Sequence, residues 1–262
     1  VELMTGKAVK KGNIKEKKDN RNEVILEVKE LEYKNILKNV SFQVKRGEIL
    51  GIAGLVGSGR SELAECIFGA REIDKGDIYL EGKKKKFSHP KDAIKNGIGL
   101  IPEDRKNFGL ILKHTIKDNS TLIQIKKMLS GVLLNSKKEN KHIEESIKDL
   151  SIKVSDYNLK VSSLSGGNQQ KIVISKWKDM DLKILIFDEP TKGIDVNAKE
   201  DIFKVIEDYA AKGVGIIFIS SDLGEVERIA DRVLVLKRGN FINELRGNDI
   251  NIEKINYLAL NG

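Results

Sequence analysis

The sequence predicts an α/β fold: a parallel core sheet flanked by helices, an antiparallel strand region ahead of it, and a helical subdomain inserted within it. Three observations carry this expectation. Glu48–Ala53, Ile184–Phe187 and Val214–Ile219 are apolar almost throughout, the pattern of strands covered on both faces. Segments of helical period lie between them. Two earlier runs, Val24–Val28 and Val40–Val44, alternate like half-buried antiparallel strands.

In chain order, residues 1–23 are Lys/Asn-rich without apolar periodicity and read as a linker or disordered arm. Arg46-Gly47 marks the turn between the second strand and the first buried one. Ser61 to Phe68 can carry a helix. Lys83–Lys86, just after Glu81-Gly82, reads as an exposed turn between strands. From about Lys106 the chain is charged and helical in character as far as Lys160, with Ile143, Ile147 and Leu150 at helical spacing and Glu144 four before Lys148. Ile202, Val205, Ile206 and Tyr209 form another stripe, which Gly213 can terminate. There is no internal repeat.

The composition closes off several function classes. The chain has 262 residues, with 47 Lys and Arg against 39 Asp and Glu, a net charge of +8. About +3 of that excess sits in residues 1–23, which carry seven basic and four acidic side chains. Neither this segment nor Lys83–Lys86 interleaves aromatics, so solvated surface is the favoured reading and no nucleic-acid partner is expected. The single cysteine, Cys66, excludes a disulfide framework and a multi-cysteine metal site, and it reads as a small buried hydrophobe. His89, His114 and His142 fall in no ligand spacing and read as surface residues, whereas Trp177 reads as helix packing. No run reaches the roughly 18–20 apolar residues of a membrane-spanning helix, and no apolar signal core opens the chain, so a soluble cytoplasmic protein is expected.

Chemistry concentrates in three places. The buried strand ending at Ala53 runs into Gly54-Leu55-Val56-Gly57-Ser58-Gly59-Arg60-Ser61 and a helix. Glycines there let backbone amides wrap a phosphate, the helix N-terminus adds positive charge, and the Ser61 hydroxyl can ligate Mg²⁺. An ordinary glycine turn would look similar, and Arg60 stands where the usual pattern has Lys. Asp188-Glu189 ends a second buried strand: Asp188 is suited to Mg²⁺ and Glu189 to orienting and deprotonating a water, with two solvated acids as the alternative. Finally, Ser165-Gly166-Gly167-Asn168-Gln169 opens a polar helix and makes a second anion corner.

In the chain order glycine loop, helical insert, Ser165–Gln169, Asp188-Glu189 and Gly193-Ile194-Asp195, these motifs resemble the ATP-binding subunits of ABC transporters across residues 24 to about 245. Gly54–Leu63, Pro102–Lys106, Leu164–Lys171 and Ser220–Leu223 are similar to the second half of the tandem ATPases that power bacterial monosaccharide import. The resemblance implies a P-loop NTPase domain over 24–262 with a helical subdomain at about 106–165, and it makes Val1–Lys7 look like the tail of a preceding domain, so that the chain reads as a C-terminal fragment. It also implies ATP and Mg²⁺ as cofactors. ATP contacts are implied at Gly54, Gly57, Ser58, Gly59, Arg60, Ser61 and Glu62, with Tyr33 stacking on adenine or else sitting as a hairpin-surface tyrosine. Implied metal contacts are Ser61, Glu103 and Asp188; implied catalytic positions are Glu189 and Ser221. Ser165, Gly166, Gly167, Asn168 and Gln169 serve a partner's nucleotide, and Asp195 either reaches the same site or only caps its helix.

Three positions depart from the family's usual residues. Arg60 replaces Lys, Glu103 replaces Gln, and Ser221 replaces His, all around the γ-phosphate. A planar guanidinium cannot take the place of a compact ammonium, and serine offers no imidazole. The implied arrangement is asymmetric: this domain hydrolyses slowly at its own site and lends an intact signature to the first nucleotide-binding domain of the same polypeptide. Permease subunits, and indirectly a sugar-binding protein, are the further implied partners, at the cytoplasmic side of the membrane. A nucleoside importer and a non-hydrolysing nucleotide-binding module are the alternatives. A soluble ABC protein acting on ribosomes or in DNA repair is disfavoured.

Overall fold

The computed structural model describes residues 22–261, so the expected linker arm, apart from its last two residues, lies outside the described residues. The chain opens with an antiparallel pair, β1 (Val24–Tyr33) and β2 (Leu37–Lys45). Gly47, at φ 68°, turns it into β3 (Ile49–Ala53), buried at all five positions. A glycine loop leads to α1 (Arg60–Ile67), then β4 (Lys75–Leu80), β5 (Lys83–Lys85), α2 (Pro90–Lys95) and β6 (Ile98–Ile101). The insert follows: a π-type turn at Arg105–Gly109, α3 (Ile116–Thr121), a 3-10 stretch at Leu122–Met128, β7 (Leu129–Ser130), β8 (Leu133–Leu134) and α4 (Ser136–Asp149). The chain then passes through α5 (Gly166–Ser175), β9 (Ile184–Asp188), α6 (Val196–Ala211), β10 (Gly215–Ile219), α7 (Leu223–Ile229), β11 (Arg232–Lys237), β12 (Asn240–Arg246) and α8 (Ile252–Asn261).

The core sheet has the order β12-β11-β3-β10-β9-β6, parallel except for the β11–β12 hairpin. The second sheet, β2-β1-β4-β5, is antiparallel. Alternation along β10 explains how one sheet serves two layers: Ile216 and Phe218 pack toward α5 and α6, whereas Ile217 and Ile219 pack toward α1 and the antiparallel sheet. Arg232 ties the sheets together, its Nε donating to Glu48 Oε1 at 2.7 Å, Nη1 to Glu244 Oε2 at 3.1 Å and Nη2 to the Gln43 carbonyl at 2.6 Å. Because β3 lies beside β10 and β10 beside β9, with Ile219 level with both Ile52 and Asp188, three carboxyl ends open onto one crevice. No helix among the described residues is long and apolar enough to cross a membrane.

Four expectations need correction. Glu81 and Gly82, at φ 49° and 72°, make the turn, so Lys83–Lys85 is the edge strand β5 rather than the turn itself; its lysines stay solvated and discourage further pairing. The insert is not uniformly helical, since Gly131 at φ 64° closes the small β7–β8 hairpin. Helix α5 is polar in sequence but buried from Gln169 to Ser175, with Lys171 neutralised by Asp201 at 2.7 Å and donating to the Ser151 carbonyl at 2.9 Å. His142 is buried, not at the surface, because it shares the inward face of α4 with Glu139, Ile143 and Ser146. Burial lowers its pKa.

Candidate functional site

The loop from Gly54 to Gly59 is shaped by what a side chain would strike. A Cβ on Gly54 would lie 2.3 Å from the Leu236 carbonyl oxygen, so the loop presses directly on the end of β11. Gly57 and Gly59 have φ of 80° and 105°, a conformation that L side chains rarely adopt. Gly59 caps α1 without a side-chain bond, leaving the first amides of the helix for an outside acceptor. Inside the loop the Ser58 hydroxyl is buried without a hydrogen-bond partner, and Glu62 sits in the first helical turn.

Arg60, Ser61, Asp188, Glu189 and Ser221 converge beneath this loop. Arg60 reaches the residues just past the ends of β9 and β10. Its Nη1 donates to the Ser220 carbonyl at 2.7 Å and its Nη2 lies 3.3 Å from Glu189 Oε1, with both residues only 8% exposed. The other carboxylate oxygen of Glu189 accepts from the Ser221 hydroxyl at 3.0 Å. Glu189 holds φ 48°, fixed by its amide donating to the Ile219 carbonyl at 2.9 Å. Asp188 accepts from the Ser61 hydroxyl, yet its Oδ1 is buried without a partner. Burial pushes its carboxyl up to about 7; Glu103 and Glu189 push the same way, against the Ser61 bond and Arg60. An orphaned carboxylate oxygen beside a hydroxyl fits a divalent cation, with Ser61 and Asp188 as its holders.

Glu103 stands at the rim, exposed and paired with Lys192 at 2.6 Å. Tyr33 ends β1 with its ring buried, its hydroxyl accepting from Arg71 Nη1 at 3.0 Å; the Lys34 ammonium and Arg71 guanidinium lie 5.3 and 5.5 Å from the ring centre. Tyr33, Ser61, Glu103 and Asp188 all line one cleft of about 1110 Å³, which is also lined by Phe108, Val173 on α5 and Trp177 just after it.

The Ser165 corner forms a separate group. The Ser165 hydroxyl caps α5, accepting from the Asn168 amide at 3.5 Å and from its side chain at 3.0 Å. Of its two glycines the second is required by a close neighbour, since a Cβ on Gly167 would meet Ala198 Cβ at 2.5 Å, whereas one on Gly166 would meet only the mobile end of Arg105, Nη2 at 2.7 Å. The Asn168 side-chain oxygen accepts from the Lys153 amide at 2.9 Å. Gln169 points inward, buried, its amide donating to the Leu164 carbonyl at 3.1 Å. Asp195 caps α6 by accepting from the Ala198 amide at 3.0 Å.

Sequence reasoning missed the layer that holds these groups. Glu225, buried on α7, accepts from Ser220 and Thr191 hydroxyls at 2.8 and 2.5 Å and pairs with Lys199 at 2.7 Å. The available signal was two hydroxyl residues just past the ends of buried strands. Lys192, Arg71 and Lys176, which line or brace the cleft, carried no such signal.

Comparison with known proteins agrees with this geometry. The family model described as ABC transporter matches residues 37–192. The ribose import ATP-binding protein RbsA of Clostridium tetani is 48% identical over 240 residues, covering 91% of this chain and 48% of that protein. The xylose import ATP-binding protein XylG of Thermoanaerobacter pseudethanolicus is 45% identical over 248 residues, covering 92% and 49%. The chain thus spans about half the length of these curated relatives. A solved nucleotide-free ATP-binding cassette from an ABC transporter superposes with a TM-score of 0.73 at 27% identity, covering 91% of this chain and 96% of that one. With this glycine loop at the end of β3, the carboxylate pair at the end of β9 and the Ser-Gly-Gly corner at α5, the chain belongs to the ABC transporter family.

Proposed function

We propose that this chain is the second nucleotide-binding domain of a monosaccharide importer, coupling ATP binding and hydrolysis to sugar uptake at the cytoplasmic face of the membrane. Its own site binds Mg²⁺-ATP and turns it over slowly, while its Ser165 corner completes the productive site of the first domain of the same polypeptide. The observation that carries the asymmetric part is the direction of Arg60: the guanidinium binds Glu189 and Ser220 at the base of the crevice. The relatives' printed names, ribose and xylose import ATP-binding proteins, support the sugar.

In this mechanism the loop amides and the α1 N-terminus bind the phosphates. Ser61 and Asp188 hold Mg²⁺, which when bound supplies positive charge among the phosphate oxygens. Glu189, with one oxygen on a cation and the other on a hydroxyl, is poorly placed to take a proton from water. Ser165 is exposed at the start of α5, where a partner's phosphate can meet it. The cleft wall at Phe108, 78% exposed, and the segment after Glu103 accept the permease subunits, and the sugar-binding protein acts through those subunits. The domain proper spans 24–262, with its helical subdomain at about 106–165.

A second reading, a nucleotide-binding module without hydrolysis of its own, is favoured by the same Arg60–Glu189 pair. A nucleoside importer is the remaining alternative. Calorimetry of the chain with Mg²⁺-ATP, together with uptake of labelled ribose, xylose and guanosine by the whole importer, wild type and carrying Ser165→Ala, tests the proposal. Micromolar nucleotide binding and loss of monosaccharide uptake are expected. Guanosine as the only transported solute moves the substrate to a nucleoside, and absence of nucleotide binding overturns the reading. Single-turnover hydrolysis at the rate of a domain with Lys, Gln and His at the three positions overturns the asymmetry.

A further inference from the structure

We propose that Arg60 is a positioning residue for Glu189 and that their pairing makes this site nearly indifferent to the third phosphate, so that it holds nucleoside di- and triphosphates with similar affinity. This rests on the reading of the glycine loop as a nucleotide site and names the ligand specificity of that site.

The argument starts from what the guanidinium already touches. Two of its nitrogens are engaged, Nη1 with the Ser220 carbonyl at 2.7 Å and Nη2 with Glu189 at 3.3 Å. The acceptor carbonyl is itself held still, because the Ser220 hydroxyl donates to the buried Glu225 at 2.8 Å and accepts from the Asp222 amide at 3.1 Å. Glu189 is fixed by its backbone bond to Ile219 and by the Ser221 hydroxyl. Arg60 therefore sits in a built socket, not in a loose rotamer.

If a third phosphate draws the side chain out of that socket, it strands a buried carboxylate whose remaining hydrogen-bond partner among the described residues is the Ser221 hydroxyl, which is strongly unfavourable. Attraction between Arg60 and the added phosphate is offset by this loss. If Arg60 stays, its charge is already neutralised by Glu189 at close range. Either way the third phosphate gains little, whereas the loop amides and the α1 N-terminus act on the phosphates nearer the nucleoside regardless of where Arg60 lies. The pairing suits Arg at this position: its Nη1 and Nη2 serve the carbonyl and the carboxylate from separate nitrogens of one planar fork, whereas a lysine would have to meet both from one nitrogen on a shorter side chain.

Calorimetric titration of the chain with Mg²⁺-ADP and with the Mg²⁺ complex of a non-hydrolysable ATP analogue provides the test, read as the ratio of the two dissociation constants. The wild type is expected to show a ratio within about threefold. Glu189→Gln keeps an acceptor for Ser221 and removes the charge that holds Arg60, so the preference for the triphosphate analogue should rise to about tenfold. Arg60→Lys, which releases the same grip, should move the ratio in the same direction and carries the test should the first variant not fold. In Arg60→Met the ratio should stay near the wild-type value, since the released cation is what gains the third phosphate. A wild-type preference of tenfold or more for the triphosphate analogue, or an unchanged ratio in Glu189→Gln and Arg60→Lys, overturns the proposal while leaving nucleotide binding intact. Failure of both nucleotides to bind overturns the nucleotide-site reading along with it.

Discussion

Replacing Gly167 by alanine probes the corner at which α5 meets α6. The added methyl would sit 2.5 Å from Ala198 Cβ, against the roughly 3.5–4.0 Å at which carbon atoms rest in contact, so the two helix starts must part by about 1 Å. Overpacking of this kind costs roughly 1–3 kcal/mol, and exchanging glycine for alanine in a helix returns roughly 0.5–1 kcal/mol. The net expectation is destabilisation by about 1–2 kcal/mol. Urea denaturation followed by circular dichroism reads this directly. With a slope near the upper end of the range, roughly 3 kcal/mol/M, the midpoint falls by about 0.5 M. Ala198→Gly removes the opposing methyl, so the double variant Gly167→Ala, Ala198→Gly should be no less stable than Ala198→Gly alone, a non-additive cycle. A Gly167→Ala midpoint equal to wild type, or strictly additive effects in the double variant, refutes the steric account of the second glycine.

Two further predictions concern buried titrating groups. Burial of Lys176, whose ammonium donates to the Gly109 carbonyl, lowers its pKa to about 8. Between pH 8 and its unfolded value of 10.5 the unfolded chain therefore binds more protons, and this group's contribution to stability rises with pH there and is lost as pH falls through 8. The wild type should accordingly gain about 3 kcal/mol relative to Lys176→Met between pH 8 and 10.5, read from paired urea midpoints; a constant difference between the two proteins rules the explanation out. Burial also pushes the Cys66 thiol up to about 12. Maleimide at pH 8 should leave the folded protein unlabelled and react fully in urea, and rapid native labelling would contradict the packing of α1.

What could be read from the sequence divides along physical lines. The strands Ile49–Ala53, Ile184–Asp188 and Gly215–Ile219 were legible because burial on both faces leaves only apolar side chains, a signal that needs no partner to recognise. The edge strand Lys83–Lys85 was not, since an edge keeps its charges and resembles a loop in composition. His142 was misjudged because one polar residue does not announce which helical face it occupies; only its packing inside the insert decides. At the crevice, the residue types of the glycine loop and the carboxylate pair were legible from spacing. The direction of Arg60 was not, because its acceptor lies 160 residues farther along the chain and no local pattern encodes that meeting. Thr191, Glu225 and Lys199 escaped notice for the same reason.

Arg232 gives the molecule a mechanical property of its own. Its guanidinium reaches the Gln43 carbonyl in the outer sheet, Glu48 at the entrance to β3, and Glu244 on β12. The strand that β3 becomes ends six residues later in the loop at Gly54, itself pressed on β11. Force or thermal agitation that pries the outer strands loose must therefore pull on the floor beneath the glycine loop. Arg232 is one rivet of several, with the Lys38 amide donating to the Gly239 carbonyl at 2.8 Å and Lys183 paired with Glu81 at 2.5 Å, so the front sheet is fastened to the layer that carries the crevice.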